Sequence, residues 1–348
     1  MGGGSPASLV SGEPLVTEMP VMRVLLASLL CLVGLAAPCL AQGPAKVPAV
    51  FAAYATELAE PWNQVIHGAL QDAEKMGRIT YAWQDKLGTA EAMAAGLNSA
   101  LVRRPDVVVA DGVESLDVIR GAAAANPGIA FLVGTSQPPV APNLSVFDSN
   151  LSEPAYLCGV AAGRLTKTGV VGVVAGKSDL QVHRAINAYK QGVKDANPAA
   201  RVKVAFTGSW YDPPRAKQVA LEQIAAGADV IWAEREGAIA AAREKGVLAF
   251  GNLVDQSAEG ADTVLTGPVW SMTPLIDHVT KLSAAGMVRA ENYIDFSSLA
   301  RGGAVLAPWH GWNDKLPPDV LELVRQKQNA IKTGELVVAP NADRPTTD

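Results

Sequence analysis

The chain has 348 residues, a formal net charge of −5, and 49% hydrophobic but only 5% aromatic residues. That mildly acidic balance, without a long basic run, argues against nucleic acid as a partner. Of three cysteines, two fall in an apolar leader, so Cys158 stands alone and an intrachain disulfide is excluded once the leader is removed.

The leader runs from Met22-Arg23 through an apolar stretch to Ala37. Pro38-Cys39-Leu40-Ala41 follows, with small residues at 39 and 41. This is the pattern of a secretory signal peptide cleaved after Ala41. The uninterrupted apolar stretch is short of the roughly 20 residues that a membrane span needs. Cys31 follows Leu30 and Cys39 follows Pro38, not the small residue that a lipoprotein signal requires. Residues 1–18 read as an upstream extension outside the fold, and the exported chain has room for two domains of ordinary size.

Beyond the leader, apolar runs alternate with helical patterns, first over about 47–147 and again over about 170–270. The first round predicts a strand at 50–54 and a helix opened by Pro61, since proline suits a helix's first turn. A strand at 79–83, a helix at 89–102 and a buried β-branched strand at 107–110 follow. The loop Asp111-Gly112-Val113-Glu114 leads to a helix at 115–125 and strands at 130–133 and 144–147. The second round opens with a helix at 153–165, where Cys158 lies among apolar neighbours and reads as a small buried hydrophobe. Next come a strand at 170–175, a helix at 180–196, a strand at 202–206 and the loop Thr207 to Pro213. Pro213 or Pro214 starts a helix ending near Gly227. The strand 230–233 ends at Glu234-Arg235-Glu236, and a helix at 238–245 and a strand at 247–250 follow. The tail adds a strand-like 264–266, a helix at 273–285, a strand near 304–307 and a helix over about 319–333.

Strands alternating with helices predict parallel sheets, here in two similar lobes. The expected fold is therefore α/β and two-lobed, each lobe a mostly parallel sheet flanked by helices. The expected organisation is an extension and signal peptide at 1–41, a first lobe at 46–148 with about 271–300, and a second lobe at 149–268 with part of 301–348. Three crossings between the lobes would make a hinge suited to closure around a ligand.

Motifs for chemistry are sparse. Gly172 and Gly176 of Gly172-Val173-Val174-Ala175-Gly176-Lys177-Ser178 are separated by three residues, whereas a phosphate loop needs four for its backbone N–H groups to wrap the phosphates. The histidines His67, His183, His278 and His310 are scattered, so neither a metal nor a cofactor is expected. No GxSxG elbow occurs, although a Ser-His-Asp site could still assemble from distant residues. Ligands of parallel α/β sheets sit beyond the carboxyl ends of the strands. Trp62 and Trp210 fall there on opposite lobes, placed to sandwich a flat ligand, and Trp270 lies at the expected crossing Gly267-Pro268-Val269-Trp270. Glu60, Asn63, Asp111, Glu114, Glu234, Asn252 and Asp255 fall on the same rim, with groups able to read a heterocycle's edge.

Gly208-Ser209-Trp210-Tyr211-Asp212-Pro213 is similar to an N-S-W-[FY]-D-P segment. Tyr156-Leu157-Cys158-Gly159-Val160-Ala161-Ala162-Gly163 is similar to Y-L-[AC]-G-x-x-A-[AG], and Arg184-Ala185-Ile186-Asn187-Ala188-Tyr189 to R-[GA]-I-N-[AG]-[FY]. In this order, with Phe147-Asp148-Ser149-Asn150, Gly227-Ala228-Asp229-Val230 and Glu244-Lys245-Gly246-Val247, they resemble the basic membrane protein family of ABC-transporter substrate-binding proteins, which includes purine-nucleoside lipoproteins. The resemblance covers about 47–335. It implies a type I periplasmic-binding fold, a small-molecule ligand between the lobes, and delivery to a membrane permease. It also implies that Trp62 and Trp210 take the places of the family's stacking aromatics. The nucleoside binders carry a G-V-D-x-D-Q segment where this chain has Gly251-Asn252-Leu253-Val254-Asp255-Gln256, and a Lys where it has Trp270. Losing a carboxylate and an ammonium disfavours ribose and favours a free purine-type nucleobase or another flat heterocycle.

The expectation is thus a periplasmic, monomeric, non-enzymatic binding protein. Trp62 and Trp210 would stack, Trp270 would wall the pocket, and Glu60, Asn63, Asp111, Glu114, Glu234 and Asn252 would read the edge. A nucleoside hydrolase using the same cleft, and a sensor subunit for a membrane receptor, stand as alternatives.

Overall fold

A computed structural model describes residues 1–2, 46–111 and 113–348. The signal peptide read at 22–41 lies outside the described residues, as does all but the start of the upstream extension. Among the described residues no helix is long and apolar enough to cross a membrane.

The first sheet is parallel throughout, in the order β2-β1-β3-β4-β5. Its strands are β1 (Ala49–Ala53), β2 (Thr80–Gln84), β3 (Val107–Asp111), β4 (Ala130–Gly134) and β5 (Leu144–Phe147). Helices α1 (Pro61–Lys75), α2 (Ala90–Leu101) and α3 (Leu116–Ala125) connect them. The second sheet is also parallel, β7-β6-β8-β9. It comprises β6 (Val170–Ala175), β7 (Arg201–Phe206), β8 (Val230–Ala233) and β9 (Leu248–Phe250), with helices α4 (Ser152–Leu165), α5 (Leu180–Ala196), α6 (Pro213–Ala225) and α7 (Ala238–Lys245). Parallel strands covered on both faces cannot alternate apolar with polar, and the chain obeys. Val107 to Ala110 and all of Val170–Ala175 are buried.

Helix starts are fixed locally. The Glu60 side chain accepts from the Asn63 N–H at the head of α1, with Pro61 in the first turn. Asp179 caps α5 through the Gln181 N–H, and Asp212 caps α6 through the Arg215 N–H. Such caps satisfy donors that no helical carbonyl can reach. Each of these caps follows the carboxyl end of a strand, so the capping loops gather along one edge of each sheet.

The chain passes between the sheets at three places. Asp148–Asn150 links β5 to α4. The two-stranded antiparallel ribbon of β10 (Pro268–Trp270) and β11 (Ala304–Leu306) supplies the other two. Between them α8 (Thr273–Ala284) packs with residues of α1 and β1, and Asn292 bridges to Val146 of β5. After β11, α9 (Pro318–Thr333) returns to α4 and joins the core of the second sheet. The stretch read as strand-like at 264–266 forms an isolated bridge, Val264 to Ala249, and no strand of its own.

Helices α4 and α5 approach unusually closely through glycines. A Cβ on Gly159 would lie 2.1 Å from the Tyr189 carbonyl oxygen, and one on Gly192 would lie 2.1 Å from that of Tyr156. Neither obstacle is a side-chain tip that could swing away. Gly159→Ala should therefore lower stability by about 1–3 kcal/mol, the usual cost of overpacking. Denaturant unfolding of the variant beside the wild type measures it, and an unchanged midpoint would contradict the close packing.

Candidate functional site

The carboxyl ends of the strands of both sheets face one cavity of about 410 Å³. From the first sheet's loops it is lined by Thr56, Glu60, Trp62, Asp111, Glu114 and Thr135, and from the first crossing by Ser149. From the second sheet's side come Lys177, Asp179, Gln181, Trp210, Glu234, Arg235, Asn252 and Leu253.

Seven of the residues singled out in the sequence line this cavity: Glu60, Trp62, Asp111, Glu114, Trp210, Glu234 and Asn252. Two do not. Asn63 is buried in the first turn of α1, and its amide turns back to donate to Thr56 Oγ1 at 2.8 Å and to the Glu57 carbonyl at 3.0 Å. It holds the loop and does not line the cavity. Trp270 lies behind Trp62, with ring centroids 4.4 Å apart, and is only 2% exposed. The Trp62 indole fills the space between it and the cavity, so Trp270 forms the backing of the wall and not its surface. Phe147 completes this cluster, stacked on Trp62 with centroids 6.0 Å apart.

The polar lining is a buried carboxylate cluster around one guanidinium. Arg235 Nη1 lies 4.0 Å from Glu60 Oε1, and its Nε lies 3.2 Å from Glu234 Oε2. The guanidinium also sits over the Trp210 ring, 5.1 Å from its centroid, in cation–π geometry. Glu234 Oε2 further accepts from the Gly176 N–H at 3.0 Å. The Asn252 amide donates to the Glu234 carbonyl at 3.2 Å, while its Oδ1 has no protein partner. Near the mouth, Lys177 Nζ pairs with Glu114 Oε1 at 2.6 Å, joining the two sides of the cavity. That pair is exposed and contributes little to stability.

Arg235 is the residue that the sequence reading missed. Its signal was present: an arginine flanked by two glutamates at the carboxyl end of a wholly apolar strand. An ion pair there has no exposed helix face to occupy, so it must face either the cavity or the core. Gln181, Ser149 and Thr135 were missed as well, and no spacing or composition marks them.

Burial dominates the protonation of this cluster. It pushes Asp111 up to about 7, with the charge of Glu60 adding to it. It pushes Glu234 up to about 7 against the opposing pull of Arg235 and the Gly176 amide. Glu60 is also raised by burial, with Arg235 opposing. Near neutrality some of these carboxyls hold protons, so the lining can both donate and accept. A carboxyl of raised pKa favours the folded state at pH values below its ordinary value, 3.8 for Asp and 4.5 for Glu, and loses that contribution as pH rises through about 7. Asp148, raised to about 6, acts in the same direction, while His67, lowered by burial, acts oppositely. Replacing Asp111→Asn together with Glu234→Gln should flatten the fall in melting temperature of the ligand-free protein between pH 5 and pH 8. An identical pH slope in the variant would show that these two carboxyls do not carry the effect.

The family model described as ABC transporter substrate-binding protein, PnrA-like, matches residues 50–333. A purine-binding protein of Brucella abortus is 30% identical over 198 residues, 56% of this chain and 55% of that protein. A putative ABC transporter glucose-binding protein of Haloferax volcanii is 29% identical over 198 residues, 56% of this chain and 49% of that protein. The chain thus spans about half the length of the curated relatives it matches. The solved structure of an ABC transporter solute-binding protein from Conexibacter woesei superposes with a TM-score of 0.68, covering 85% of this chain and 99% of that one at 23% identity, which shows the two-lobed periplasmic-binding fold. With the family model matching most of its length, the chain belongs to the Bmp family of PnrA-like ABC transporter substrate-binding proteins.

Proposed function

We propose that this protein is the exported solute-binding subunit of an ABC importer, and that it captures a small planar heterocycle, a purine-type nucleobase, for delivery to a membrane permease. The observation that carries the reading is the cavity itself. Tryptophans line it from opposite sides, Trp62 from the first sheet and Trp210 from the second, with acid and amide groups between them. A flat ring held between two indoles gains stacking and large apolar burial. Glu60, Asp111, Glu234 and Asn252 then meet its edge. The Asn252 oxygen, buried and without a partner, calls for a ligand donor, because an unsatisfied buried acceptor is costly.

The same lining supports a neutral ligand. Its two cations, Lys177 and Arg235, are already within ion-pair distance of Glu114, Glu60 and Glu234. A phosphate would enter among carboxylates, with no free cation among the described lining residues to meet it. Leu253 supports a base without ribose. It lines the cavity with an apolar side chain, held by a backbone φ of 65° where left-handed geometry turns the loop. In this place the nucleoside-binding members resembled by the sequence carry a carboxylate suited to ribose hydroxyls. The purine-binding relative agrees with this reading, and the glucose-binding relative makes a sugar the natural competitor to test.

Binding protein and not enzyme is the favoured reading, since among the described residues that line the cavity no nucleophile stands beside a base. Family membership accords with a periplasmic or extracellular location.

Native mass spectrometry of the purified protein, followed by denaturation, should release a purine base. Titration calorimetry should rank adenine or hypoxanthine above adenosine, with no measurable binding of AMP or glucose. Trp62→Ala and Trp210→Ala should each weaken base binding by about 1–3 kcal/mol, as for base–aromatic stacking elsewhere. Unchanged affinity in both variants, or release of a non-aromatic solute, would reject the sandwich. Conversion of adenosine to free base by the wild type would establish the hydrolase instead.

A further inference from the structure

Trp270 occupies a position that packing alone does not account for. Its ring backs Trp62, and its own edge reaches the hinge. The indole Nε1–H donates to Ser297 Oγ at 2.9 Å, and Ser297 Oγ in turn donates to the Asp148 carbonyl at 2.6 Å. Trp270, Ser297 and Asp148 are all buried. The Asp148 carboxylate pairs with Arg184 of α5, and the neighbouring Ser149 hydroxyl accepts from Gln181 of the same helix. The Trp270 backbone N–H donates to the Leu253 carbonyl at 2.9 Å, next to the cavity-lining side chain of that residue. Residue 270 therefore touches the stacking indole, the loop after β9 and the segment leading into β11, and reaches the β5–α4 crossing through Ser297.

We propose that Trp270 is the positioning residue that couples occupancy of the cavity to the angle between the lobes. The inference rests on the ligand reading above, since it requires a ring pressed against Trp62. Pressure on that face is transmitted to the Trp270 ring behind it. The indole N–H is a single directional donor, so a shift of the ring moves Ser297 and, through it, the Asp148 carbonyl. Asp148 is anchored to α5 of the second sheet, so its displacement is felt as a change of hinge angle and not as local slack. Rigid, hydrogen-bonded segments with few alternative arrangements carry such coupling, whereas a loosely packed hinge would dissipate it.

The test separates coupling from mere packing. Trp270→Phe keeps an aromatic ring behind Trp62 and removes the donor together with part of the buried indole, so its result is read beside a second variant. Ser297→Ala removes the other end of the link with little change of volume. With adenine as probe, small-angle scattering reads compaction, and stopped-flow quenching of tryptophan fluorescence reads the rates. The wild type should compact on adding adenine. Both variants should bind adenine with an association rate within about threefold of wild type and a dissociation rate raised roughly tenfold, the usual signature of a bound state that fails to consolidate. Adenine-induced compaction should be lost in both, and the double variant should be no worse than either single one. Lower melting temperatures with full adenine-induced compaction would mean a structural role alone and overturn the coupling. Adenine binding by the wild type without compaction would overturn it too, while leaving the ligand reading intact. No adenine binding by the wild type would overturn both.

Discussion

Parallel pairing sends the carboxyl end of every strand in a sheet to the same edge, and the rest of this molecule follows from that constraint. Most loops leaving those edges lead into helices, because a parallel connection needs a crossover to return, although residues 135–143 join β4 to β5 without one. Their first residues are helix caps, and caps are the short acidic and hydroxylic side chains that also bind ligands well. Glu60 and Asp179 are caps and cavity walls at once. Part of the site is thus built from residues that the fold already needs at those positions.

Closing two such edges on one another buries charge. Glu60, Asp111 and Glu234 share a space in which one buried guanidinium, that of Arg235, cannot neutralise them all. An unpaired ionised carboxylate in such surroundings is costly, so the carboxyls respond by holding protons. The consequence is functional. A partly protonated cluster presents donors and acceptors together, in keeping with the heterocycle proposed as ligand. Arg235 also occupies space over Trp210, tying the electrostatics of the cluster to an aromatic wall.

The family's type I binding fold is compatible with many ligands, and fold alone does not choose among them. In the reading proposed here the selection rests on side chains at loop positions. Leu253 and Trp62, backed by Trp270, supply apolar lining, while Asn252 and the carboxyls supply polar lining from the same loops. These positions also lie next to the crossings, so what distinguishes ligands and what bends the molecule are neighbours in space. That adjacency underlies the role proposed for Trp270.

Much of the architecture was legible in the chain itself. The alternation of apolar runs and helical patterns specified two parallel sheets, because a strand buried on both faces has no other composition available. Pro61 and Pro213 marked helix starts, and the loops before them put Trp62 and Trp210 beside the strand ends. Local rules suffice for such features, since caps, turns and periodicity act over a few residues. What the chain could not show is which loop side chains turn inward. Asn63 has the right chemistry and the right loop, yet Thr56 and the Glu57 carbonyl claim its amide. Trp270 lies at the expected crossing, but Trp62 stands between it and the cavity. Arg235 looked like part of a charged strand end until the first sheet brought Glu60 within reach of it. Each outcome depends on groups distant in sequence that meet only when the two sheets pack, and no periodicity within one segment encodes that meeting.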